Sequence, residues 1–273
     1  MNAPPTLTDR RALARNRRRA DPLTVDFLHE IASDEVKDRL SMVNKTFNAP
    51  VVVTGHPAFW APAFPDVSCV ADDDVLALEQ GAHDLIVHAM SLHWANDPVG
   101  QLIQCLRALR PDGLFLAVLF GGQTLAELRA ALAQAETEVT GGLSPRIAPM
   151  VEIRDLGGLL QRAGFTLPVA DSLPVRTSYE NSGTLMRELR RMGEGNALDA
   201  RLRHPTRRAV FARMDELYRQ SFAGSDGRIM ATFELIFLLG WAPDPSQPKP
   251  LRPGSAQARL AEILNSEEIP LKD

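Results

Sequence analysis

The chain has 273 residues, 45% hydrophobic and 23% charged, with a formal net charge of −4. That is ample material for a buried core and argues against a disordered chain or a general nucleic-acid binder. No apolar run reaches the roughly 18 residues that cross a bilayer, so no membrane span is expected. Without the apolar core of a secretory signal, the expected location is cytoplasmic.

Residues 1–9 read as disordered. Arg10, Arg11, Arg15, Arg17, Arg18 and Arg19 then crowd a helix running to about residue 20. They form a solvated face, a clamp on an acidic partner, or a cover over a ligand site. A second helix is expected over 22–42, with Leu23, Phe27, Ile31 and Leu40 as its apolar side. Short continuous apolar runs at 51–53, 67–70, 84–89 and 114–120 predict strands covered on both faces. Cys69 and Cys105 lie in apolar segments and read as buried reduced thiols. Asp97-Pro98 is a helix start, with Val99, Leu102, Ile103 and Leu106 at helical spacing behind it. Arg110-Pro111-Asp112-Gly113 reads as a breaker and turn before the fourth strand. A β-α-β unit of this kind needs a right-handed crossover and a parallel pair.

Leu125, Leu128, Leu132, Ala135 and Val139 mark another helix. Leu156, Leu159, Leu160 and Ala163 mark the next, closed by Gly164. A strand over 173–179, helices over 182–192 and 205–222, and an apolar strand over 230–241 follow. They predict an antiparallel edge pair carrying a helical lid. The domain reading is an Arg-rich helical segment over 1–48 and an α/β domain over 49–242 with an insertion at 182–222. An extension over 243–273 has a short helix near 255–265.

In an open α/β sheet, ligands sit beyond the carboxyl ends of the strands, at the point where strand order reverses. Four segments qualify: Thr54-Gly55-His56, Asp72-Asp73-Asp74, Ser91 to Asp97, and Gly121-Gly122. Gly55 lets backbone approach a ligand closely. Pro57 has no N–H to offer an anion, and with Pro62 and Pro65 it makes a poor continuous helix, so a packed loop is the plain alternative. Asp72 and Asp73 suit a sugar or an adenine amino group; otherwise they cap a helix over 75–78. No His or Glu lies at metal-ligand spacing from them, so no metal site is expected. His93 and Trp94 read as exposed groups that stack on or polarise a ligand, with packing as the alternative for both. Asp97 reads as a cap. There is no nucleophile–base triad: no G-x-S-x-G turn is present.

Several of these segments carry a resemblance. Ser91-Leu92-His93-Trp94, Asn96-Asp97, Leu109 to Gly113, and Phe120-Gly121-Gly122 with Thr124-Leu125, Glu127-Leu128-Arg129 resemble a class I S-adenosylmethionine-dependent methyltransferase. Gly141-Gly142, Ser144-Pro145, Asp155-Leu156-Gly157, Arg162 to Phe165, Met192-Gly193-Glu194 and Gly240-Trp241 narrow it to one branch. That branch holds a mitochondrial complex I assembly methyltransferase-like protein and its bacterial relatives. The resemblance implies a doubly wound, Rossmann-like α/β sheet, mostly parallel with an antiparallel C-terminal edge. It implies S-adenosylmethionine in the crevice, near Thr54, Gly55, His56, Asp72, Asp73, Ser91 and Leu92. Ser91, His93 and Trp94 would then lie at the reacting centre. It also links to a biotin-pathway enzyme that methylates a malonyl thioester, and in the mitochondrial branch to arginine hydroxylation.

The chain departs from the family at the first loop, where Asp-x-Gly-x-Gly-x-Gly is replaced by Val53-Thr54-Gly55-His56-Pro57-Ala58. The stretch between Gly55 and Val67 is also too short for a helix, a strand with the ribose-binding acid and another helix, so one β-α unit, and with it the usual ribose contact, is expected to be missing. Three lost bonds of about 1.5 kcal/mol each would weaken cofactor binding by about a thousandfold. Two functions remain open. One is a methyltransferase acting on a protein or acyl-carrier substrate. The other is a non-catalytic or arginine-hydroxylating assembly factor that binds a respiratory-complex subunit. The sequence sets no oligomeric state.

Overall fold

A computed structural model describes residues 6–20 and 27–248. Residues 1–243 form one compact unit and 244–273 another. The N-terminal helix α1 is Arg10–Arg18, followed by α2 at Phe27–Met42. The α/β part contains β1 (Pro50–Thr54), α3 (Pro57–Ala63), β2 (Ser68–Val70), β3 (His83–Ala89), a 3-10 turn (Leu92–Trp94), α4 (Pro98–Ala108) and β4 (Leu109–Phe120). It continues with α5 (Ala126–Thr140), α6 (Ile153–Ala163), β5 (Thr166–Tyr179), α7 (Ser182–Arg191), α8 (Arg208–Phe222) and β6 (Ile229–Trp241). The expected start of the second helix, with Leu23, and the expected helix near 255–265 lie outside the described residues.

The six strands form one sheet in the order β2-β1-β3-β4-β6-β5. The first four are parallel, and β6 runs antiparallel to both β4 and β5. This is the expected doubly wound sheet with an antiparallel C-terminal edge. The missing unit is visible too. Only α3 separates β1 from β2, and the link from β2 to β3 over residues 71–82 has no helix. From β1 the chain winds one way to β2 and then the other way to β3 and β4. The carboxyl ends of β1 and β3 therefore flank the reversal point.

Alternating side chains feed two cores, which is why the strand sequences are continuously apolar. Val52, Val87, Leu116, Phe233 and Phe237 pack with α2, α5, α7 and α8 on one face. Val51, Val53, Ile86, Phe115 and Ile236 pack with α4 and α6 on the other. Cys105 is fully buried there, and burial pushes its thiol far above the ordinary range. Cys69 is half-buried and also free.

Four local expectations are corrected. Arg110-Pro111-Asp112-Gly113 does not precede β4 but lies inside it. Asp112 takes φ +57°, and the register jumps from His83↔Leu109 to Leu85↔Leu114, so the breaker is absorbed as an irregular bulge. Residues 57–63 form a short helix, since Pro57 stands at its first turn, where a missing N–H does no harm. No helix forms at 75–78; Gln101 and Gln104 instead bind the carbonyls of Asp73 and Asp74. Residues 7–9 are ordered: the Leu7 and Thr8 amides donate to Asn96 Oδ1 at 3.0 and 2.8 Å, and the Asp9 amide to the Ala197 carbonyl at 2.8 Å. Asp97 caps α4 as expected, accepting from the Gly100 amide at 2.8 Å.

Candidate functional site

The site lies beyond the carboxyl ends of β1, β2 and β3. Thr54 ends β1, buried, and its hydroxyl accepts from the His56 amide at 3.1 Å. Gly55 follows. A Cβ on Gly55 would collide with the guanidinium of Arg17, so glycine lets the α1 arginine reach the strand end. Asp72, 4% exposed, holds the same arginine: Nη1 of Arg17 donates to Oδ1 at 2.8 Å and Oδ2 at 3.0 Å. Arg10 adds a longer contact to Oδ2 at 3.5 Å. Burial pushes the Asp72 carboxyl up, but Arg17 and then Arg10 more than reverse this, so it is held below the usual carboxylate range. Asp73 does not join the site; its side chain is 76% exposed and faces Arg10 at 3.6 Å.

Behind Asp72 runs a buried network. Gln101 Nε2 donates to the carbonyls of Asp72 and Asp73 at 3.4 and 3.0 Å. Its Oε1 must therefore accept, and the partner is His88 Nε2 at 3.1 Å. That places the His88 proton on Nε2 and leaves Nδ1 to accept from the Ser91 hydroxyl at 3.5 Å. Burial lowers the His88 pKa to about 4, so the ring is neutral near pH 7. Ser91 and Leu92 are buried beside it.

Of the two readings for His93 and Trp94, exposed or packed, the structure has them packed: the His93 side chain is 2% exposed and Trp94 4%. The reason is a residue that the sequence reading did not single out as a site group. Glu194, just beyond α7, accepts from Trp94 Nε1 at 2.8 Å and faces His93 Nε2 at 3.5 Å. Its other oxygen lies 3.7 Å from His56 Nε2. Burial alone would raise the Glu194 carboxyl; the contacts from His56 and His93 bring it well below its ordinary range. Gly193 takes φ +82° to end α7, and a Cβ there would stand 3.2 Å from the Arg17 Cα, so the glycine lets α1 pack closely. Asn16 binds the Gly195 carbonyl at 2.9 Å. The Gly-Glu-Gly run after a helix was the available signal. The second flank is His29, which accepts from Trp60 Nε1 at 2.8 Å and whose ring lies 4.6 Å from that of His56, tilted by 58°. Burial, then His56, lowers the His29 pKa well below normal.

The structure thus gathers Thr54, Gly55, His56, Asp72, Ser91, Leu92, His93 and Trp94 around Arg17 and Glu194. Several atoms there are buried with no hydrogen-bond partner: Nε and Nη2 of Arg17, Nε2 of His56, Nδ1 of His93 and Oε1 of Glu194. Unpaired buried polar atoms are costly, and gathered in one place they suit a polar ligand. Beside them lies a cavity of about 550 Å³ between α1, α5 and α7. Trp94, Phe120, Leu128, Met186 and Phe233 make its apolar wall, and Glu194, Arg146 and Arg190 line it too. Among the described residues no group of three or more His, Cys, Asp or Glu is placed to hold a metal ion. No described helix is long and apolar enough to cross a membrane.

Comparison with known proteins bears on this geometry. Residues 56–117 match the family model described as a methyltransferase domain. The chain is 32% identical to mouse "Arginine-hydroxylase NDUFAF5, mitochondrial" over 281 residues, covering 92% of this chain and 81% of that one. The human protein of the same name is 37% identical over 224 residues, covering 81% of this chain and 64% of that one. A malonyl-[acyl-carrier protein] O-methyltransferase of Laribacter hongkongensis is 32% identical over 179 residues, 66% of this chain and 57% of that one. Among solved structures, a putative methyltransferase from Bacillus halodurans aligns with a TM-score of 0.49 at 16% identity, covering 77% of this chain and 99% of that one. The chain spans less than half, 46%, of its Dictyostelium discoideum relative.

Proposed function

We propose, from the premise that the chain belongs to the NDUFAF5 family of methyltransferase-fold proteins, that it binds S-adenosylmethionine at the ends of β1, β2 and β3. On this reading it acts on a side chain of a protein substrate. The observation that carries the reading is the convergence of Gly55, Asp72 and Ser91 at the reversal point, ringed by buried polar atoms without partners. Asp72 would accept from the adenosine part, and Gly55 and Leu92 would offer close backbone approach. When bound, the cofactor supplies an electrophilic methyl group on a sulfonium. The part of this chain is to position a nucleophile against it, with Ser91, His93 and Trp94 beside the reacting centre.

The cavity wall is largely apolar and carries charges of both signs, Glu194 with Arg146 and Arg190. Those charges do not choose between a protein side chain and a malonyl thioester; what favours a protein arginine is the name of the mouse and human relatives. A cytoplasmic location is proposed for the chain, while those relatives are named mitochondrial.

Calorimetric titration with S-adenosylmethionine and S-adenosylhomocysteine tests the reading. Heat of binding is expected, weakened at least about tenfold in Asp72→Asn by loss of a charged acceptor. Absence of heat at millimolar ligand in both the parent and a variant with the arginine contacts removed would refute it. A second reading, a non-catalytic assembly factor, is favoured by one observation: the Arg17 guanidinium stands against Gly55, where the cofactor is expected. On that reading the partner is a respiratory-complex subunit, and the sheet is a scaffold.

A further inference from the structure

The five arginines of α1 divide by helical face. Arg10 and Arg17 lie seven residues apart, two turns on one face of α1, and both reach Asp72. Arg11, Arg15 and Arg18 lie on another stripe, are exposed, and make no ion pair among the described residues. The segment is therefore not a uniformly basic face. Its inner side is fastened by Asn16 to Gly195 and by the Leu7 and Thr8 amides to Asn96. The Asp9 carboxylate, which accepts from the Ala12 amide, also binds Arg201 and Arg203.

We infer that α1 is an autoinhibitory strap, and that Arg17 is an intramolecular occupant of the cofactor cleft which the cofactor must displace. The inference rests on the proposed cofactor reading and adds a control on it. Three observations carry it. The guanidinium fills the space a Cβ on Gly55 would take. It saturates the one buried carboxylate at the end of β2. Yet it is badly satisfied: only Nη1 is bonded, while Nε and Nη2 are buried without partners. A purely structural arginine would be expected to use its whole fork, as planar bidentate pairing allows. An arginine held by one nitrogen in a glycine-walled cleft is placed to leave. Leaving would free Asp72 and Gly55 together, and the fastening of α1 to Asn96 and Gly195 would set the energy needed.

The test uses the full chain and two variants, Arg17→Ala and the outer-face control Arg11→Ala. S-adenosylhomocysteine binding is measured by calorimetry, and backbone hydrogen exchange over residues 10–18 is followed with and without ligand. Arg17→Ala is expected to bind at least about tenfold tighter than the parent, and Arg11→Ala to bind like the parent. In the parent, saturating ligand is expected to speed exchange in α1. Equal or weaker binding by Arg17→Ala, with α1 exchange unchanged or slowed by ligand, would overturn the strap and leave the cofactor reading standing. No binding by any of the three proteins would overturn both. The exchange measurement needs no variant, so it decides the matter even if Arg17→Ala folds poorly.

Discussion

Two buried arginine–carboxylate centres invite comparison. Glu136 on α5 accepts from the Ser144 amide and hydroxyl and from Nε and Nη2 of Arg146 at 2.7–3.1 Å. Nη1 of Arg146 goes to Thr206 at 2.8 Å. All three nitrogens of that guanidinium are used. Asp72 and Arg17 make the opposite case: the carboxylate is satisfied, but two of the three guanidinium nitrogens are buried and unpaired. The first pair is a staple joining α5 to the 144–146 loop and to the segment before α8. The second is an incomplete pair, which is what a site awaiting a polar ligand looks like. Charge and burial alone do not separate the two; saturation of the hydrogen-bonding groups does.

That contrast is broken or sharpened by substitution. The largest effect is expected at the staple. Glu136→Ala leaves Arg146 partly buried and unpaired, and should destabilise by about 3 kcal/mol in urea unfolding. A loss below about 1 kcal/mol would mean the saturated pair does not hold α5 to the segment before α8.

Next comes pH. The His88 pKa is lowered to about 4, against about 6.5 in the unfolded chain. The unfolded state takes up the proton first, so this contribution is complete above pH ~6.5. It is lost as pH falls from there to about 4, by about 3 kcal/mol in all. His29, also lowered by burial, acts in the same direction. The Asp72 and Glu136 contributions, from carboxyls held below their ordinary range, are lost only at lower pH. Stability measured from pH 7.5 to 4.5 should fall steadily, and His88→Gln should flatten the slope. An unchanged slope in that variant would place the titration elsewhere.

Arg17→Met should lower stability by only about 1.5 kcal/mol, since Arg10 stays near Asp72 and two unpaired nitrogens are removed. A loss as large as at Glu136 would erase the distinction between staple and site. Smallest is the cap: Asp97→Ala should cost about 1 kcal/mol and leave ligand binding unchanged, since Asp97 faces α4 and not the cleft.

Much of the fold was legible in the sequence. Strands buried on both faces have apolar runs, so β1, β3 and the latter half of β4 could be placed; the run at 67–70 marked β2 as well, though that edge strand is only half-buried. Asp97-Pro98 announced α4, and the brevity of the stretch from Gly55 to Val67 announced the missing unit. Three of the misreadings share one physical cause, long-range partners. Leu7 to Asp9 look disordered until Asn96 and Ala197 are beside them. Asp72 to Asp74 look like a helix cap until Gln101 and Gln104 take the carbonyls. His93 and Trp94 look exposed until Glu194, about a hundred residues on, covers them. A site assembled from α1, the ends of β1 to β3 and the turn after α7 leaves only fragments in any local stretch.

The most direct test of the central claim is a crystal structure of the Arg17→Ala variant grown with S-adenosylhomocysteine. The account predicts the ligand between Gly55, Asp72 and Ser91, with its adenosine part against the Asp72 carboxylate. A ligand bound elsewhere, or an empty cleft at saturating concentration, would contradict it and leave the sheet as a scaffold for a protein partner.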